Sequence, residues 1–142
     1  MSEGEEVRKT IVLDASPEVV FKALTDEQEL VQWMPNQAKF DARVGGEYEF
    51  KYHWADRNVD GTVRGKVLEL TPNKRLTYTW DSQRSDYKGH RSESKITWIL
   101  DELPDGKTRL TLIHSGMSKQ SREDTERGWS YYLGRLAGRV NK

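Results

Sequence analysis

The sequence contains no cysteine among its 142 residues. Disulfide bonds, thiolate nucleophiles and every zinc or iron-sulfur site built from cysteine are therefore excluded. Because disulfides form and persist in oxidising compartments, a chain without cysteine also fits the reducing cytoplasm, which is where we expect this protein.

The chain also has no excess of either charge and no long apolar run. Lysine plus arginine and aspartate plus glutamate number 23 each, so no basic surplus exists to neutralise nucleic-acid phosphates. No segment approaches the roughly 20 apolar residues of a membrane helix. The acidic residues Glu3, Glu5 and Glu6 differ from the basic start of a signal peptide. We expect neither a nucleic-acid partner nor a membrane span.

Motifs of several common enzyme classes are missing as well. The sequence has no G-x-S-x-G nucleophile motif, no phosphate-binding P-loop and no dinucleotide fingerprint. Its three histidines, His53, His90 and His114, show no metal-ligand spacing with a carboxylate on one element. We therefore expect no metal site and no cofactor.

The length and the order of patterns indicate a single domain over residues 1–142. The first part predicts a strand at Thr10–Leu13, a helix with Pro17 at its first position, and a second short helix through Trp33. Between residues 38 and 115 the apolar period changes to two, with turn signals about every ten residues. This order predicts an α+β fold with an antiparallel meander.

The end of the chain predicts a long amphipathic helix from about Arg122 to Val140, with Ser121 as its cap. Three glycines interrupt this helix, and each costs it up to about 1 kcal/mol relative to alanine. They are Gly128, Gly134 and Gly138. We interpret them as positions where a missing side chain lets another surface or a ligand come close.

The strands separate into an apolar face and a polar face. Along residues 47–54, four aromatic residues alternate with charged residues and His53. One face of this strand therefore meets the interior and the other meets water. After Val67 the alternation changes phase at Leu68, which predicts a β-bulge.

Six segments carry a family resemblance in their order along the chain. They are Ala15–Thr25, Val44–Gly46, Val67–Pro72, Arg75–Trp80, Leu110–Gly116 and Gly128–Trp129. Together they resemble the START-like (SRPBCC) superfamily and, within it, the family named for activators of heat-shock protein 90 ATPase. The resemblance implies a helix-grip fold, in which a curved antiparallel sheet wraps around a long C-terminal helix and two short helices follow the first strand. It also implies a cavity between sheet and helix, which in related proteins holds lipids, polyketides, flavonoids or similar apolar molecules.

Large amphipathic rings are more numerous in this sequence than a dry core usually needs. Ligand pockets are typically apolar and aromatic with a few polar groups, so we interpret twelve residues as candidate ligand contacts. They are Trp33, Met34, Tyr52, Trp54, Tyr78, Trp80, Trp98, Leu112, His114, Trp129, Tyr132 and Leu133. Ordinary core packing is the competing interpretation for each ring, because Trp and Tyr favour half-buried sheet faces.

His114 is the candidate whose chemistry least matches its expected face. Strand alternation places it with Leu110 and Leu112, where a neutral imidazole can hydrogen-bond a ligand or act as acid or base. The alternative is a structural histidine held by a tyrosine or a backbone carbonyl. Ser115 points to the opposite face, so the two neighbours cannot form a Ser-His pair.

The function we favour is non-enzymatic binding of a small, largely apolar ligand that is lipid-, polyketide- or polyphenol-like. A second hypothesis is a cyclase or aromatase-type enzyme, in which the same cavity positions a polyketide-like substrate and His114 moves a proton. A third, implied by the resemblance, is a chaperone-interacting module that acts as an ATPase activator. We expect a monomer or a weak dimer.

Overall fold

The computed structural model describes residues 5–56, 58–84 and 92–141. Their elements in chain order are β1 (Glu5–Leu13), α1 (Pro17–Thr25), α2 (Glu27–Leu30), β2 (Gln37–Phe40), β3 (Glu47–Trp54), β4 (Val59–Thr71), β5 (Arg75–Arg84), β6 (Ser92–Glu102), β7 (Thr108–Met117) and α3 (Lys119–Val140). The predicted order of a strand, two short helices, antiparallel strands and a long final helix is confirmed.

The described strands form one antiparallel sheet in the order β1-β7-β6-β5-β4-β3-β2. The first strand closes onto the last, with Val7 opposite His114. Helix α3 lies closest to β1 and α1. The sheet thus wraps the final helix in the helix-grip arrangement, and its inner face and α3 together form the core.

The two short helices share one residue as a boundary. The Asp26 backbone N–H donates to the Lys22 carbonyl at the end of α1, and the Asp26 carboxylate accepts from the Glu29 backbone N–H, 3.1 Å away, at the start of α2. Helix α2 ends at Leu30, so Trp33 lies in the turn beyond it rather than in the helix. Its indole N–H donates to the Ala23 carbonyl over 2.8 Å and fastens this turn to α1.

The last helix begins earlier than its sequence pattern predicted. Ser118, not Ser121, is the N-cap, and its hydroxyl oxygen accepts from the Ser121 backbone N–H over 3.2 Å. Two serines three residues apart both suit a cap, and the first adds a turn to α3. That turn contains no apolar residue of the helical stripe, which is why the periodicity did not show it.

The predicted bulge in β4 is confirmed. The register between β4 and β5 shifts between Val67 and Glu69, which turns Leu68 outward. On the same strand, Gly65 lies in close contact with two neighbours. A β-carbon there would lie 2.1 Å from the Thr79 carbonyl oxygen and 2.6 Å from the Tyr48 ring. The Tyr48 hydroxyl donates to that same carbonyl over 2.5 Å, so Gly65 makes room for this side chain.

The glycines of α3 have no close neighbour that would explain them. Among the described residues, a β-carbon at Gly128, Gly134 or Gly138 would meet no atom within 4 Å. The interpretation that another part of this chain approaches the helix there finds no support in the described residues. Gly134 and Gly138 lie on the exposed side of α3.

Replacing Gly134 or Gly138 by alanine is therefore expected to stabilise the protein by up to about 1 kcal/mol each, because alanine restricts the unfolded chain and favours the helix. Urea unfolding monitored by circular dichroism measures the change. Gly45→Ala is the control, since Gly45 is also in open space but has φ +85°, and it should lose stability. A loss of stability at Gly134 would instead indicate that another surface requires this glycine.

Candidate functional site

Four of the twelve candidate contacts are sealed inside the protein. Trp33, Tyr78, Trp98 and Leu112 are between 0% and 1% exposed. Trp98 lies edge-on to both Trp33 and Trp129, with ring centroids 6.3 Å and 5.5 Å away, and its indole N–H donates to the Tyr78 hydroxyl over 2.9 Å. A ligand can touch these four only by displacing protein atoms.

Five further candidates are buried with slight exposure, on the inner face of the sheet, on α3 or, for Met34, in the segment after α2. They are Met34, Tyr52, His114, Trp129 and Leu133. Burial raises the pKa of the Tyr52 hydroxyl well above its usual range, so this side chain is a neutral hydrogen-bonding group.

The remaining three candidates are half-buried rings, and we call Trp54, Trp80 and Tyr132 the aromatic mouth. Trp54 ends β3, Trp80 lies on β5 and Tyr132 lies on α3. Trp80 contacts Trp129 with ring centroids 5.5 Å apart. The aromatic mouth therefore lies between α3 and the β3–β5 part of the sheet, on the side of the helix away from β1.

The two halves of the aromatic mouth are joined across the gap between sheet and helix. The Trp54 indole N–H donates to the Tyr132 hydroxyl over 3.2 Å, and the Trp54 ring stacks on Tyr52 with a centroid distance of 5.4 Å. Gly128, one turn before Tyr132, is half-buried, yet a β-carbon there would meet no described atom within 4 Å apart from its chain neighbours and the backbone of its own helix. A small side chain at position 128 would therefore fit without displacing another part of the described chain.

Charged side chains attach the edge of α3 that lies away from the aromatic mouth. Arg139 donates two hydrogen bonds to the Glu29 carboxylate of α2, 3.1 and 3.0 Å long, and these bonds lower the pKa of Glu29. Near the start of the helix, Glu126 accepts from Lys9 of β1 and from Arg122. Exposed ion pairs such as these contribute little to the free energy of unfolding. They nevertheless attach α3 to α2 and β1 and leave its other edge to aromatic contacts.

His114 is held by protein groups at both ring nitrogens. The Trp129 indole can only donate, and it lies 2.9 Å from Nδ1, so Nδ1 accepts. The proton of the neutral ring is then on Nε2, which donates to the Ser94 hydroxyl over 2.7 Å. Ser94 in turn donates to the Trp80 carbonyl over 3.2 Å. This chain of bonds connects α3, β7, β6 and β5.

The environment of His114 favours the neutral imidazole. The side chain is buried and meets the rings of Trp80 and Trp129, with centroids 5.6 Å and 6.1 Å away. Burial lowers the pKa of His114 to about 4. Of the two interpretations of this residue, the geometry favours the structural one, although the partners are Trp129 and Ser94 rather than a tyrosine or a carbonyl. Its role as a ligand contact stays a prediction.

Sequence reasoning missed Ser94 as part of this network. By strand alternation Ser94 shares the inner face with Ile96 and Trp98, so the same signal that singled out His114 also applied to it. In the described part of the chain, no buried side-chain nitrogen or oxygen lacks a hydrogen-bond partner. The polar groups of the interior are therefore already satisfied by protein.

Within residues 5–56, 58–84 and 92–141, no group of three or more His, Asp or Glu side chains is arranged to hold a metal ion. None of the described helices is both long enough and apolar enough to cross a lipid bilayer.

Known proteins resemble this chain in sequence and in fold. The family described as "Activator of Hsp90 ATPase homolog 1-like protein" matches residues 14–141. The human protein "Activator of 90 kDa heat shock protein ATPase homolog 1" is 33% identical over 118 residues, which are 82% of this chain and 31% of the human protein. The chain thus matches about a third of the length of that relative.

Solved structures share the fold over nearly the whole chain. A protein of Chromobacterium violaceum is 28% identical with a TM-score of 0.82, and the match covers 97% of this chain and 99% of that one. The Aha1 dimer of Colwellia psychrerythraea is 20% identical with a TM-score of 0.78 and 96% coverage of both chains. At 20% identity the second likeness shows the fold alone.

Proposed function

The chain belongs to the activator of Hsp90 ATPase homolog 1-like family, with its START-like helix-grip fold, and we propose that it binds a small, largely apolar ligand between sheet and final helix. The observation that supports this most is the aromatic mouth. Trp54, Trp80 and Tyr132 are three large rings that stay half-buried where α3 meets the β3–β5 part of the sheet. Aromatic side chains with a few polar groups typically line sites for apolar molecules.

The chemistry of the site favours a ligand whose apolar part enters and whose polar part stays near solvent. The buried polar groups of the described interior are satisfied, so a polar ligand group placed deep inside would find no waiting partner. At the aromatic mouth, by contrast, the Trp54 indole and the Tyr132 hydroxyl are half-buried and can exchange partners. Lipid-, polyketide- and polyphenol-like molecules all meet this description.

Titration with the neutral fluorescent probe N-phenylnaphthylamine is expected to show saturable binding with quenching of tryptophan fluorescence. Trp80→Leu should weaken binding about fivefold, because a ring contact contributes on the order of 1 kcal/mol. Leu68→Ala is the control, since Leu68 lies exposed at the bulge, away from α3. Displacement by oleate or by the flavonoid naringenin then separates lipid-like from polyphenol-like preference. Absence of saturable binding to the wild-type protein would overturn the proposal.

A chaperone-interacting role is the second candidate, and the sequence likeness to the human ATPase activator supports it. Because the chain matches only part of that relative, the activity of the whole relative is a proposal for this protein. Stimulation of a purified Hsp90 ATPase by the wild-type protein tests it. Stimulation without probe binding would favour this role over ligand binding.

The cyclase or aromatase-type reaction has less support from the geometry. In this hypothesis His114 transfers a proton, but both nitrogens of its ring already form hydrogen bonds with Trp129 and Ser94. A pKa of about 4 also makes the ring a weak base near neutral pH. We therefore place ligand binding ahead of catalysis.

A further inference from the structure

A hydrogen bond links the sheet to α3 at the aromatic mouth. It runs from the Trp54 indole N–H to the Tyr132 hydroxyl, 3.2 Å apart. Both rings also pack on Tyr52, Trp54 in a parallel stack and Tyr132 at a centroid distance of 6.0 Å. Tyr52 itself is only 6% exposed, so the two outer rings cover it.

The position of this bond differs from that of the other attachments of α3. The helix backbone lies close to β1 and α1, and ion pairs fix it to β1 and α2. Where α3 faces β3, by contrast, the contacts between helix and sheet are made by side chains. Rotamer changes of individual side chains are faster than collective motions that separate packed backbone elements. This edge can therefore open while the opposite edge keeps α3 in place.

We propose that the Trp54–Tyr132 hydrogen bond is a latch that controls ligand entry into the space between sheet and helix. The proposal rests on the proposed binding function and adds the residues that regulate access to it. When the latch opens, the Trp54 and Tyr132 rings separate and uncover Tyr52. Both groups then regain partners from water, so the open state leaves no buried polar atom unsatisfied.

Removal of the latch is expected to accelerate association. Tyr132→Phe keeps the ring and deletes the acceptor, and Trp54→Phe keeps an aromatic ring and deletes the donor. A neutral hydrogen bond has a modest net strength, so each variant should raise kon for N-phenylnaphthylamine roughly threefold to tenfold in stopped-flow mixing. Because both changes break the same bond, the double variant should be no faster than the faster single variant.

Tyr131→Phe is the matched control, because it removes a hydroxyl from the neighbouring exposed tyrosine and should leave kon unchanged. A direct contact with ligand predicts a different result, namely a faster koff with no gain in kon. Rate increases that multiply in the double variant would show that the two residues act separately and would overturn the latch.

A measurement without ligand tests the bond itself. In nitrogen-15 spectra of the wild-type protein, the Trp54 indole N–H should exchange with solvent severalfold more slowly than in Tyr132→Phe. Equal exchange rates would overturn the latch. If the wild-type protein binds no probe, the proposed binding function is refuted, and the latch has no ligand to admit. Probe binding with an unchanged kon in Tyr132→Phe would refute the latch alone.

Discussion

Replacing Trp129 by alanine is expected to lower the free energy of unfolding by about 3 to 5 kcal/mol, the largest effect of any single change considered for this protein. The Trp129 ring is 3% exposed and packs on Trp98 and Trp80, so its removal leaves a cavity at the centre of the interface between sheet and helix. The change also removes the donor to His114 Nδ1 and leaves a buried acceptor unpaired. Guanidinium unfolding monitored by circular dichroism measures the loss.

Two comparisons separate the ring from its hydrogen bond. Trp129→Phe retains most of the apolar contact but not the N–H, so it should lose less stability than alanine. Tyr131→Ala, two residues further along α3, removes an exposed ring and should change stability by less than about 1 kcal/mol. If Trp129→Ala were as stable as the wild-type protein, the ring would have to line a cavity or solvent rather than the core.

The fold could be predicted because its signals are local. Strand alternation, the Ser16-Pro17 helix start and the phase change at Leu68 each depend on a few neighbouring residues. The predicted start of α3 was wrong by one turn, because the first turn is polar and has no apolar residues to mark it. The pairing of β1 with β7 was not predicted, because no local pattern connects residues about 100 positions apart.

The candidate site could be predicted only to the level of which face a residue occupies. Alternation placed Trp80 and Trp98 on the same inner face, and both do lie there. It could not show that Trp98 is sealed while Trp80 is half-buried, because depth depends on where α3 covers the sheet. The inward position of His114 was likewise predictable. Its two partners were not, since Trp129 comes from α3 and Ser94 from β6.

The burial of His114 has a consequence for stability in acid. Its pKa is about 4 in the folded protein, against 6.5 for an ordinary imidazole. Between these pH values the unfolded chain binds more protons at this group than the folded protein does, so stability falls as the pH falls. Protonation of Nδ1 would also bring two donors together, because the Trp129 N–H points at that atom.

We expect the free energy of unfolding to decrease by about 2 kcal/mol between pH 7 and pH 5, and by about 3 kcal/mol in total by pH 4, through His114 alone. Urea titrations at several pH values measure this decrease. Hydrogen bonds from arginine lower the pKa values of Glu29, Glu49, Glu69 and Glu126 below 4.5, so these carboxylates contribute mainly at lower pH than the window from 7 to 5.

His114→Gln removes the titrating ring while keeping an amide that can both accept and donate, so its stability should change much less over the same window, whatever its value at pH 7. His53→Gln is the matched control, since it deletes an exposed imidazole on the polar face of β3 and leaves the buried ring in place. The wild-type protein and His53→Gln should therefore lose stability in parallel. If His114→Gln followed the same curve as these two, the acid sensitivity would have to come from another group, and the buried, neutral imidazole would be wrong as its cause.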